Sequence, residues 1–289
     1  MVSLEELSAL DLQIWLRSGS LAARAACCNQ STICRRVDRT LRSFAVQLRR
    51  SAGEWFLRGD LELLAMEREL HQLARLNGYE ALRLEVSPLI GPLLGPAPAG
   101  WRLGRGDILG LVRPLQLLRE RVIDAWLIDN TVDLPPADDP EIARFDLFRY
   151  PLWLAAVEGH PLAGASALSL SDLRRFPVPQ TPLPLFPNTG RHFATLGLAG
   201  PALRSRRYDP GDWEGRTADG VTLTFGTPFN LAQHPRLLRL DSDPLLINGV
   251  SLVVRRDRCE QRPLQELRRE LQLRLQQLQP RLLDLEALP

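Results

Sequence analysis

The hydrophobic repeat of this 289-residue chain changes period near residue 80, and that change constrains the fold more than any other feature. Before it, apolar residues recur at helical spacing. Leu4, Leu7, Leu10 (or Asp11), Ile14 and Trp15 mark a first helix over 4–17. Ser18-Gly19-Ser20 stops it, and Ser20 is placed to cap a second helix from Leu21 to about Cys28. Asn29 is an N-cap for a third, running to about Ser43. That third helix turns Ile33, Val37, Leu41 and Phe44 inward and Gln30, Ser31, Arg35, Arg36 and Arg39 outward. Beyond Ala81 the pattern becomes strand–helix alternation. Leu82-Leu84-Val86, Trp101-Arg102-Leu103 and Ile123 to Ile128 read as strands, and Ile108 to Val122 as a helix. A largely parallel sheet with covering helices is the expectation, with ligands beyond the carboxyl ends of its strands.

Charge singles out the helical end. The chain has 36 basic residues and no lysine, so every one is an arginine. The first fifty residues hold eight of them against Glu5, Glu6, Asp11 and Asp38, while the remainder is net acidic. Three short helices in under fifty residues, the last basic and polar outside, form the pattern of a helix-turn-helix that inserts into a major groove. The competing reading is a small helical bundle whose charged face is simply solvated.

Gly19-Ser20-Leu21 followed by Gln30-Ser31-Thr32-Ile33-Cys34-Arg35-Arg36-Val37 resembles the signature of LysR-type transcriptional regulators, and Val46 and Leu48 match the segment leading to their wing. Leu152 to Val157, His160-Pro161-Leu162-Ala163 and Leu170-Ser171-Asp172-Leu173 extend the resemblance into the body. Cys34 stands where the family has serine, Thr40-Leu41 replaces Leu-Glu and Ala45 replaces glycine. The second helix is about two residues short, and little room remains for a helix between Ser87 and Trp101.

The resemblance implies an α/β architecture in three parts. A winged helix-turn-helix would occupy 1–56, all-α with a small wing, followed by a linker or dimerisation helix over 57–78. An effector domain of the two-lobed, periplasmic-binding-protein-like kind would take 79–289, with lobe I at 79–175 and 250–289 and lobe II at 176–249. DNA contacts would come from Gln30, Ser31, Thr32, Arg35 and Arg36, with Arg39, Arg49 and Arg50 on phosphates. Leu63, Met66, Leu70 and Leu73 make either a two-stranded coiled-coil seam or a face packed on the chain's own head. The family's linker helix pairs subunits, which implies a homodimer or homotetramer.

A small effector would sit between the lobes. Ser87, Asn130, Thr131, Thr181 and Thr227 are the candidates, because hydroxyls and backbone N–H groups at strand ends and helix N-termini hold anions. Each is otherwise an ordinary turn residue. The implied function is a sequence-specific, effector-responsive regulator binding double-stranded DNA. The alternative is a ligand-binding protein whose head acts through protein partners.

Catalysis is not expected. His71, His160, His192 and His234 are scattered, Gly104-Arg105-Gly106-Asp107 lacks dinucleotide-fingerprint spacing, and no nucleophile elbow or phosphate loop occurs. Cys27, Cys28, Cys34 and Cys259 lack metal-site spacing, so no metal or cofactor is expected. Adjacent Cys27 and Cys28 read as plain buried thiols or as a redox pair. No apolar run has the length of a bilayer span, and Met1 to Glu6 does not read as a secretion leader, so a cytoplasmic location is expected.

Overall fold

The computed structural model describes residues 2–180, 183–198, 200 and 207–288. Helix α1 (Leu4–Leu16) starts in a capping box, with the Ser3 and Glu6 side chains each accepting from the other's backbone N–H. It ends where Arg17 turns left-handed. Helix α2 is Gly19–Ala25, capped by Ser18 rather than Ser20: the Ser18 hydroxyl accepts from the Leu21 N–H, so the helix begins earlier and stops before Cys28. Helix α3 (Gln30–Ser43) is capped by Asn29 as expected, with the carboxamide oxygen 3.0 Å from the Thr32 nitrogen. Thr40, on its inner side, is fully buried and donates to the Arg36 carbonyl. A hydroxyl at that position is therefore satisfied within the helix.

Two antiparallel strands, β1 (Gln47–Ser51) and β2 (Glu54–Arg58), form the wing. Their two-residue turn, Ala52-Gly53, has positive φ at both positions (49° and 81°), the requirement of a tight hairpin matching strand twist. The linker helix α4 therefore spans Glu62–Leu76, five residues later than its apolar period alone places it, because residues 54–58 belong to the wing.

The body is a mixed sheet rather than a largely parallel one. Strands β3 (Leu82–Val86), β4 (Trp101–Leu103) and β5 (Ala125–Ile128) pair in parallel. Strand β6 is 16 residues long (Ile142–Val157) and runs antiparallel to a later strand, Leu246–Arg255, along most of that strand's length. The far end of β6, Trp153–Val157, pairs instead with β7 (Thr224–Gly226) and β8 (Leu237–Arg239). One strand thus contributes to both lobes, and the strand Leu246–Arg255, numbered β9, returns beside it. Only a single 3-10 turn, Gly91–Leu93, lies between β3 and β4, in keeping with the shortened first lobe. Helix α5 is confined to Val112–Arg119; α6 (Leu170–Leu173), placed by its sequence in lobe I, buries Leu173 with the lobe II residues Phe193 and Phe225, and α7 (Pro187–Thr195) and α8 (Pro228–Gln233) follow. A last helix, α9 (Arg262–Leu278), lays Leu264, Leu267, Leu271 and Leu275 on the lobe I sheet. Four such leucines contribute about 1.5–3 kcal/mol each by burial.

The head is not a separate bead. Leu7, Leu10, Ile14 and Trp15 of α1 belong to the same apolar cluster as Leu115 and Leu118 of α5 and Trp126 of β5. Helix α1 is consequently buried on both sides, against α3 and against the body. Even its one mid-helix acid, Asp11, is 1% exposed.

Candidate DNA-recognition face and effector cavity

The outer face of α3 carries Gln30, Ser31 and Arg35, all exposed, beside Arg36, which is half-buried. Exposed Cys34, a free thiol, shares this face. Ser31 and Thr32 are less available than their sequence positions suggest. Both hydroxyls donate to the Asn29 carboxamide oxygen, at 2.7 and 2.8 Å, so they reinforce the cap. Arg39 is exposed but reaches back to Glu6 on α1. That contact helps hold the Glu6 carboxyl below its usual range, after a larger effect from the Ser3 backbone N–H. Arg49 and Arg50 project from β1, where Arg50 lies over the Trp55 ring. At the centre of the face neither Arg35, which donates to the Thr32 hydroxyl at 3.3 Å, nor Arg36 has an ion-pair partner among the described residues.

Other arginines, one from the basic end and three from α4 and β3, are not on a surface at all. Arg17 is buried and bridges Glu54 of the wing and Asp107 of the body. Arg68 and Arg83 converge on Asp11, and Arg75 pairs with Asp124 at 2.8 Å, each side chain at most 4% exposed. The Trp15 indole N–H donates to Glu85, whose carboxyl also accepts from the Gly106 backbone. Gly104 passes so close to that carboxylate that a Cβ there would sit 2.2 Å from it, which only glycine avoids. Burial pushes the Glu85 carboxyl up to about 7, against the lowering effects of Trp15 and Arg17. The wing is clasped as well. Arg113 of α5 donates to the Trp55 carbonyl at 2.8 Å, and Arg207 of lobe II donates to the Gly53 carbonyl at the turn, 2.9 Å away.

Helix α4 has its polarity inverted. Glu67, Arg68, His71, Gln72 and Arg75 are buried against the head and the body, whereas Leu63, Met66 and Leu70 are 69%, 65% and 52% exposed. The apolar seam therefore does not pack on the chain's own head.

Between the lobes lies a cavity of about 130 Å³. Ser87 and Asn130, at the carboxyl ends of β3 and β5, line it as their strand-end positions predict. Thr227 lines it too, but its hydroxyl caps α8 by accepting from the Asn230 N–H. Thr131 does not line it. Its backbone N–H donates to Asn248 on β9, a contact that fixes the crossing strand. Thr181 lies outside the described residues. Sequence reasoning missed Asp129, Tyr208 and Glu214, which also face the cavity. Asp129 was within reach of the strand-end rule, since it immediately follows β5. Tyr208 and Glu214 come from an irregular part of lobe II that carries no periodic signal.

All four cysteines are free, and Cys27, like Cys34, is exposed. Among the described residues no three of His, Cys, Asp and Glu converge as metal ligands, and no helix is long and apolar enough to cross a membrane.

This arrangement, a winged helix-turn-helix, a linker helix and a two-lobed α/β body, is the full-length fold of LysR-type regulators. No family profile and no curated protein sequence matches the chain. Solved structures do. Full-length OxyR from Pseudomonas aeruginosa superposes with a TM-score of 0.56 at 16% identity, covering 94% of this chain and 98% of that one. Full-length CbnR in complex with its target DNA gives 0.54 at 15% identity over 94% and 99%. A Pseudomonas aeruginosa protein assigned to the LysR family of transcriptional regulators gives 0.51 at 19% identity over 95% and 99%.

Proposed function

We propose that the chain is a sequence-specific DNA-binding transcriptional regulator that responds to a small molecule held between its lobes. The observation that carries the reading is the outer face of α3: polar and cationic, exposed, and flanked by a wing, as in helix-turn-helix proteins that read a major groove. Arg35 is the base-reading candidate, with Arg36 beside it, while Arg49 and Arg50 on the wing suit phosphates. The exposed Leu63, Met66 and Leu70 seam would pair two chains, as a homodimer or within a homotetramer. A two-fold dimer presents its recognition helices to an interrupted inverted repeat. The proposed division places the DNA-binding unit up to the end of the wing at Arg58, two residues beyond the expected boundary, then the linker helix Glu62–Leu76 and the effector domain beyond it.

Footprinting of the purified full-length protein on genomic fragments tests this directly. The expected result is protection of an interrupted palindrome, with affinity falling steeply as salt rises. Absence of binding at low salt overturns the reading. It favours instead a head acting through protein partners, for which the clasped wing and the tied Ser31 and Thr32 hydroxyls are the supporting observations.

A further inference from the structure

The cavity's charge is opposite to what hydroxyls and helix N-termini alone suggest. Its ionisable carboxyls are Asp129 and Glu214, and no arginine among the described residues lines it, in a chain with 36 arginines. Neither carboxyl has an ion-pair partner among the described residues, although 24 such pairs occur elsewhere among them. Glu214 is buried and accepts from the Tyr208 hydroxyl at 2.8 Å and the Asn230 carboxamide at 3.1 Å. Both acids act on the same phenol: burial, Glu214 and Asp129 all raise the Tyr208 pKa. One more polar group is left over. The Ser87 hydroxyl has the Asp129 carboxyl beside it, but Thr224, a cavity-lining residue that is 1% exposed, has a hydroxyl that makes no hydrogen bond. An interior normally satisfies such a group, so its orphaned state points to a ligand that does so.

The remaining walls are aromatic. Trp126, Phe186, Phe193, Trp213 and Phe225 enclose the space. Aromatic faces attract cations and bury apolar frames, and uncompensated carboxylates in such a setting are costly.

We propose that the cavity takes a cationic small molecule, a primary ammonium on an aromatic or other apolar frame, with the ammonium between Asp129 and Glu214. This rests on the regulator reading and specifies the class of its effector. The three N–H donors of an ammonium match two carboxylates and the free Thr224 hydroxyl, while the frame lies against the rings. A carboxylate ligand instead meets two like charges with no arginine among the described lining residues to offset them. Burial already pushes the Asp129 carboxyl up to about 6, the behaviour of a group lacking a counter-ion.

Titration calorimetry of the full-length protein with size-matched probes tests the assignment: phenethylamine and tryptamine, 3-phenylpropionate and indole-3-acetate, and neutral 2-phenylethanol. The amines are expected to bind about tenfold or more tightly than the matched acids and alcohol. Asp129→Asn and Glu214→Gln are each expected to weaken amine binding about tenfold while leaving 2-phenylethanol within about threefold. Thermal unfolding of both variants checks that they fold, and Thr224→Val supplies a third probe that leaves the acids in place. Equal or tighter binding of the acids, amine affinity unmoved in both acid variants, or no amine binding at millimolar concentration overturns the proposal. Footprinting on the same preparation separates the two readings. DNA protection without amine binding removes only the effector class, and amine binding without DNA protection removes only the regulator.

Discussion

Helices α3 and α4 are of similar length and both carry arginines on one side and aliphatics on the other, yet they are mounted in opposite senses. On α3 the aliphatics face in and Arg35 faces water. On α4 the arginines face in, matched to Asp11 and Asp124, and Leu63, Met66 and Leu70 face out. The difference lies in what each helix packs against. Helix α3 meets the apolar side of α1, whereas α4 meets carboxylates at the right positions, Asp11 of α1 and Asp124 of the body. A buried guanidinium is tolerated only with its charge and donors matched, and here they are. One helix is thereby left with an exposed charged surface, which the proposed function gives to DNA, and the other with an exposed apolar surface, which it gives to a second subunit.

The sharpest way to break the contrast is Asp124→Ala. It strips Arg75 of its carboxylate and leaves the Gln72 amide and the Arg83 N–H without their acceptor. Stability in urea unfolding is expected to fall by about 3–5 kcal/mol. A loss under about 1 kcal/mol, the scale of an exposed pair, would place α4's arginines in the same class as those of α3.

The next effect is pH. Glu85, at the head–body seam, is raised from its usual range to about 7 by burial. Its folded pKa lies above its unfolded one, so the stability linked to its proton is complete below the unfolded value and lost as pH rises through 7. Unfolding free energy is expected to drop on the order of 2–3 kcal/mol between pH 5 and 8. Glu85→Gln is expected to flatten that slope, and a slope unchanged in the variant would assign the titration elsewhere.

Introducing Leu63→Glu with Met66→Glu puts two charges on α4's outer face. Association is expected to weaken by about 2 kcal/mol or more, read as a halved mass in sedimentation velocity, with monomer stability nearly unchanged. A monomer that unfolds more easily would mean that this face is needed by the chain itself. Smallest is Arg35→Ala on α3, expected to weaken operator binding by about 1–2 kcal/mol in a fixed-salt titration while moving stability by less than about 0.5 kcal/mol. A stability loss without an affinity loss would reverse the roles given to the two helices.

Much of the head was legible because its signals are local. Asn29 capping α3, the turn after α1 and the spacing of Ile33 and Val37 depend on neighbours within one or two turns. The cap of α2 was displaced from Ser20 to Ser18, a local competition between two hydroxyls 2.9 Å apart. Of the cavity, Ser87 and Asn130 were readable from strand ends, but Thr131 turned to brace β9 and the decisive acids were not singled out.

The sequence by itself determined the helical head, its basic outer face, the apolar seam of the linker and the strand–helix body, because period and capping are properties of short segments. Only the tertiary structure decided which arginines are buried, that β6 and β9 run antiparallel through both lobes, and that Asp129 and Glu214 line one cavity. Charge state and partner depend on groups scores of residues apart, as Arg75 depends on Asp124 and Arg17 on Asp107, and no local pattern encodes that proximity.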